Sequence, residues 1–313
     1  MNKKPEDHAE SSSVGYSHYR PRHPLTILVA VILWLLHGLP FRVLGWLGWV
    51  IGSLLYALPT SRRRIGLINL EKCFPEMTPQ ERQHILRQHV IDLACMTLEY
   101  GYLWFSSVES IRRLMPIEGL EHLQTLAGKP VILCMPHFTG LDFAGLRVSL
   151  ETPVVSIYSK QKSADFDAYV ESKRLRFNTG IILPRQAGIR PALRALKQGY
   201  RLYYLPDQDF GARDSVFANF FGIPTATITG LSRLAQASGA KVLPCYPRRE
   251  RDGYTLVIEA PMVNFPSGDV QQDTEMMNRH VEAQIRRQPS QYFWLHKRFK
   301  TRPPGTPDFY KSA

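Results

Sequence analysis

The chain has 313 residues, 44% hydrophobic and 21% charged, with 39 Lys and Arg against 27 Asp and Glu, a formal net charge of +12. That length can bury a substantial core in one large domain or two ordinary ones, and the composition is that of a globular protein. Wholesale disorder, collagen-like and coiled-coil classes are excluded. The charge favours anionic partners: nucleic acid, an anionic membrane surface, a phosphorylated substrate or an acidic protein.

Residues 1–23 are polar and mixed in charge, with Lys3, Lys4, Glu6, Asp7, Arg20 and Arg22 around a serine run at 11–13. Nothing in them could bury a core, which predicts a flexible polar tail. Residues 24–59 are strongly apolar and read as a hydrophobic membrane anchor. The stretch between Pro24 and Pro40 falls short of the roughly 20 apolar residues a span needs. Pro40 and Arg42 interrupt it, and a second stretch runs from Val43 to Leu58 with glycines at 48 and 52. Trp34, Trp46 and Trp49 supply rings suited to a membrane interface, and arginines flank both ends, which fits one tilted span or a hairpin dipping into one leaflet. The competing reading is a helical hairpin buried in a soluble protein. Acidic residues before the run and no small-residue cleavage site after it argue against a secretory signal.

Residues 60–313 have the pattern of a compact domain. Thr78-Pro79-Gln80-Glu81 is a capping-box start, followed by apolar residues at helical spacing to about Phe105. Apolar runs at 130–135, 153–158, 180–183, 200–205 and 241–246 then alternate with helical patterns near 140–150, 165–178, 189–198 and 228–238. A closing strand near 254–259, a helix near 271–288 and an extended segment at 291–296 complete the chain. This alternation predicts an α/β fold, a largely parallel sheet covered by helices on both faces. Cys73, Cys95, Cys134 and Cys245 are far apart, with no CxxC pair and no zinc spacing, and read as reduced core residues.

In such folds ligands gather beyond the carboxyl ends of the strands. After the first run comes HFTGLD. His137 could take a proton from a hydroxyl, and Asp142, brought back by the tight turn at Gly140, could hold the imidazole and stabilise its charge. A histidine bonded to a backbone carbonyl and an aspartate capping a helix fit the same spacing. Cys134 invites a covalent alternative, but three residues from His137 along an extended segment it should face the other side of the sheet. Arg185 ends the third run and could grip a phosphate or carboxylate. The fourth ends in LPDQDFG, whose Asp207 and Asp209 could orient that arginine, bind sugar hydroxyls or form an ordinary turn; two carboxylates alone make a thin metal site. GxSxG, GxxxxGK[ST], GxGxxG and HExxH are all absent, as are nucleic-acid-binding signatures.

HFTGLD, IILPR, LPDQDFG and VLP, in that order, resemble the four blocks of the glycerolipid acyltransferase superfamily. SKRLRFNTG, FFGIPTATITGLSRLA and YFWLHKRFKTRPPG narrow the resemblance to the lipid A biosynthesis acyltransferases, over roughly residues 25–305. The resemblance implies transfer of an acyl chain from acyl carrier protein to a hydroxyl of a 3-hydroxyacyl chain on a phosphorylated lipid A precursor. It implies His137 as general base, Asp142 as its charge partner, and substrate contacts from Arg174, Arg185, Asp207 and Asp209. It also implies a place on the cytoplasmic side of a bacterial inner membrane. A thioester is already activated, so the chemistry calls for neither metal nor cofactor. The C-terminal cations Arg286, Arg287, Lys297, Arg298, Lys300 and Arg302 suit an acidic carrier, a phosphorylated lipid or an anionic surface. Trp294 and Phe299 fit an interface or plain core packing equally. Nucleic-acid binding, another lipid alcohol as acceptor, and a silent lipid-binding scaffold are the competing readings.

Overall fold

A computed structural model describes residues 19–177 and 180–311. The expected tail over 1–23 lies mostly outside the described residues. Its last part is fastened: Tyr19 donates to Asp165 at 2.7 Å, and the amides of Arg22 and His23 donate to the same carboxylate at 2.9 and 3.2 Å.

Three helices follow: α1 (Pro24–Leu36), α2 (Phe41–Ala57) and α3 (Ser61–Cys73). Pro40 caps α2 in an extended conformation, and the helical path breaks there because proline disfavours helical backbone before it. Helix α4 (Pro79–Phe105) starts at the anticipated capping box: Thr78 N–H donates to Glu81 at 2.7 Å and Glu81 N–H donates back to the Thr78 hydroxyl at 3.3 Å. Helix α2 lies against α4 through its two glycines. A Cβ at Gly48 would come within 2.6 Å of the Cys95 Cα, and one at Gly52 within 2.5 Å of the Ile91 Cα. Gly52→Val is therefore expected to push α2 off α4 and cost about 1–3 kcal/mol. Gly45→Ala, where a Cβ meets nothing within 4 Å, is the neutral control. Thermal unfolding of both variants checks this, and equal melting temperatures would refute it.

The outward faces of α1 and α2 stay bare. Leu25, Leu28, Leu35, Trp46, Leu54 and Leu58 are all more than half exposed, unlike a buried soluble hairpin. Among the described residues no single helix is long and apolar enough to cross a membrane. Helices α2 and α3 together have the length and composition, but they meet at 90°.

The domain continues with α5 (Val108–Leu114), β1 (Ile117–Glu118), α6 (Leu120–Gln124), β2 (Val131–Cys134), α7 (Leu141–Ser149), β3 (Val154–Tyr158), α8 (Ala164–Arg174) and β4 (Gly180–Pro184). Then come α9 (Arg190–Lys197), β5 (Arg201–Tyr204), β6 (Ser215–Phe220), β7 (Ile223–Ile228), α10 (Gly230–Ser238), β8 (Lys241–Glu250), β9 (Gly253–Ile258) and α11 (Val270–Arg287). Seven strands form one sheet in the order β1-β9-β8-β2-β5-β3-β4. Its neighbours pair in parallel except for the β8–β9 hairpin, so the fold is mixed α/β with a mostly parallel sheet. The side chains of β2 alternate: Val131 and Leu133 join a core with Leu103, Ile111, Phe143 and Tyr169 on one face. Ile132 and Cys134 join a core with Ala192, Leu231 and Met277 on the other.

Three features were not foreseen. The hairpin β6–β7 turns at Phe221-Gly222, both at positive φ (52° and 73°), without the Asn-Gly or Asp-Gly pair that marks such turns. The segment 291–296 is no strand; a 3₁₀ turn at Pro289–Gln291 leads into a single bridge between Phe138 and Tyr292. The tail of the chain is interior, with Trp294, Phe299 and the Arg298 side chain all buried against α3 and the hairpin or beneath it.

Candidate active site

Strands β2 and β5 lie side by side with Cys134 opposite Tyr204, so His137 and Asp207 each emerge three residues beyond that pair. Both halves of the Asp207 carboxylate are used. The His137 backbone N–H donates to one oxygen at 2.9 Å, and the ring Nδ1–H donates to the other at 2.7 Å. A carboxylate can only accept, so in the neutral ring this contact keeps the proton on Nδ1 and makes Nε2 the acceptor. Burial opposes the Asp207 charge, yet His137, its hydrogen bonds and the nearby Arg298 outweigh it and hold the pKa below the ordinary carboxylate value.

Asp142 does not partner His137: no hydrogen bond or ion pair joins them among the described residues. Gly140, at φ 88°, starts α7, and a Cβ there would strike the Tyr254 ring at 2.7 Å. The first turn of α7 then carries Asp142 towards α4 and α8. Its one oxygen accepts from Arg174 Nη2 at 2.8 Å and Nε at 3.1 Å, and the other accepts from Tyr100. The resemblance-based pairing of the two ends of HFTGLD is thus corrected to a pairing across two strands. Burial disfavours the Arg174 charge, but Asp142 prevails and its pKa is raised.

Asp207 and Asp209, expected as substrate contacts, are both engaged by groups of the protein itself. Neither lines the cavity described below. Asp207 is buried behind His137, while the Asp209 oxygens accept from the amides of Gly211 at 2.8 Å and Thr301 at 2.6 Å. The Asp209 amide itself donates to His296 Nε2 at 3.0 Å; burial lowers the His296 pKa to about 4, so the ring is a neutral acceptor at pH 7. Arg298, expected on a cationic surface, donates to the Ala226 carbonyl at 2.8 Å and the Thr227 hydroxyl at 2.7 Å inside the core. Tyr100 and Gln291 were missed by sequence reasoning. Thr139 N–H donates to the Gln291 carbonyl and Phe293 N–H to the His137 carbonyl, so the C-terminal segment clamps the histidine loop. The YFWLHKRF stretch was the only signal for it.

His137, Asp142, Arg174 and Arg185 all line one cavity of about 650 Å³. Its lining includes the apolar Leu103, Trp104, Leu141, Leu146, Val154 and Tyr203 and, besides Arg174, the cations Arg185, Arg213 and Arg233. Arg185 stacks on Phe210 at 3.8 Å. Cys134 is buried on the far face of the sheet, where burial and Asp207 push its thiol pKa up, so it is no thiolate nucleophile.

A histidine held by a buried carboxylate thus stands at the wall of a cavity lined by apolar side chains and arginines. The family model of bacterial lipid A biosynthesis acyltransferases matches residues 16–301. The lipid A biosynthesis lauroyltransferase of Escherichia coli (strain K12) is 35% identical over 93% of this chain and 96% of its own. The palmitoleoyltransferase of the same strain is 33% identical over 93% and 95%. Its lipid A biosynthesis myristoyltransferase is 32% identical over 81% and 80%. The chain belongs to the bacterial lipid A biosynthesis acyltransferases, and it is an acyltransferase enzyme.

Proposed function

We propose that this enzyme moves a fatty acyl chain from acyl carrier protein to a hydroxyl of a 3-hydroxyacyl chain on a phosphorylated lipid A precursor. The observation that carries the mechanism is the His137–Asp207 contact at the cavity wall. His137 Nε2 takes the proton of the acceptor hydroxyl as its oxygen attacks the thioester carbonyl. Asp207 stabilises the imidazolium, which then returns the proton to the departing thiolate. The apolar part of the cavity lining takes the acyl chain, and Arg174 and Arg185 take anionic or polar parts of the substrates. Purified enzyme, given acyl carrier protein thioesters and a tetra-acylated precursor, should yield a lipid heavier by one acyl chain in mass spectrometry. No gain from folded enzyme, with turnover of a lysophospholipid instead, would replace the acceptor.

The bare apolar faces of α1 and α2 support attachment to one leaflet without crossing the membrane; the cytoplasmic side of the inner membrane is where the carrier-bound donor would meet the enzyme. Helix α1 is only about 20 Å long at 1.5 Å per residue, against roughly 30 Å of hydrocarbon. The protein should float with anionic vesicles, and Trp46→Glu/Trp49→Glu should leave it in the soluble fraction; flotation of that variant like wild type would end this reading.

A further inference from the structure

Between Gly180 and Pro206 the chain has no acidic residue. Helix α9 lies inside that stretch, and Arg190, Arg194 and Lys197 on it are exposed, at spacings of four and three that put them on one face. Its other face is apolar: Ala192, Ala195 and Leu196 are buried in the core of the second sheet face. No ion pair engages Arg190, Arg194 or Lys197 among the described residues. Three exposed cations on one face, in a stretch without acidic residues, repel one another, and their arrangement calls for an anionic partner.

We propose that this face of α9 docks the acidic acyl carrier protein that delivers the thioester, a reading that rests on the donor named above. The residues just before α9, Gly188 and Ile189, line the cavity, so a partner on α9 sits beside the cavity that a flexible prosthetic arm would have to reach. The cavity lining adds Arg185, Arg213 and Arg233, the last two beside Asp214 at 3.7 and 3.8 Å. Position favours a soluble partner over a lipid. Helices α1 and α2 pack on α4 and α8, on one side of the sheet, whereas α9 packs on β3, β5 and α10 on the other. A bilayer touching α1 and α2 leaves α9 facing water. Charge complementarity of this kind acts on encounter and weakens with salt.

The test uses the whole protein in detergent and the variant Arg190→Glu/Arg194→Glu/Lys197→Glu, with wild-type melting temperature as the folding control. With acyl carrier protein as donor, KM should rise at least tenfold, and the salt dependence of the wild type should vanish. With the same acyl group on pantetheine alone, kcat/KM should match wild type, as should KM for the lipid. An unchanged KM for the carrier overturns the proposal, and a raised KM for the lipid assigns the surface to the phosphorylated acceptor instead. Anisotropy of labelled carrier protein reads docking without turnover. If the wild type binds carrier and the variant does not while neither transfers acyl groups, the docking face stands and the proposed reaction falls.

Discussion

Asp207→Asn is expected to lower kcat about 10³- to 10⁴-fold, close to the loss from His137→Ala, with the fold retained. The carboxylate now accepts two donors, the His137 backbone N–H and the ring Nδ1–H. An asparagine has one oxygen and one NH₂ group. If its oxygen stays on the backbone amide, the NH₂ faces Nδ1 and that nitrogen must become an acceptor. The proton then moves to Nε2, and the base is lost. Replacement of the buried aspartate behind a catalytic histidine has this magnitude where the tautomer is reversed. Asp142→Asn, which only loosens the grip on Arg174, should cost far less. Steady-state rates of the three variants decide it: a large loss in Asp142→Asn with a small one in Asp207→Asn would restore the pairing within HFTGLD.

The second large effect is on stability. Glu99 is completely buried, accepting from Arg249 at 2.6 Å and from the Tyr254 hydroxyl at 2.5 Å. Removing the carboxylate in Glu99→Ala strands a guanidinium whose next acidic neighbour, Asp92, is 3.9 Å away. Breaking one partner of a buried pair costs about 3–5 kcal/mol. Denaturant unfolding should show that loss, and Glu99→Met/Arg249→Met should recover most of it, because the stranded guanidinium is then gone and the buried Asp92 keeps its hydrogen bonds from Gln88 and Ser290. A double variant as unstable as the single would show that packing, not charge, sets the cost. Activity should fall too, since the Arg249 amide and carbonyl hold the Gln291 side chain at 2.7 and 3.1 Å, and the Gln291 backbone pins the histidine loop.

The sequence by itself determined what depends on short range. The apolar runs became β2, β3, β4, β5 and β8, and the capping box fixed the start of α4, because periodicity and caps are properties of a few neighbouring residues. The histidine was legible as well, since a polar residue directly after a buried strand stands at the ligand side of a parallel sheet. The apolar hairpin was visible as two short stretches broken at Pro40, but the packing of α2 on α4 through Gly48 and Gly52 was not. What only the tertiary structure decided is which groups meet. Asp207 reaches His137 from 70 residues away because β5 inserts between β2 and β3, a strand order that no local pattern encodes. Arg298 read as a surface cation, and Trp294 and Phe299 fitted an interface or the core equally, while their partners, the β6–β7 hairpin and α3, were unrecognised; packed beneath them, all three are core. Pairing between distant segments is set by the burial of whole faces, and a carboxylate's role follows from the donor that burial brings to it.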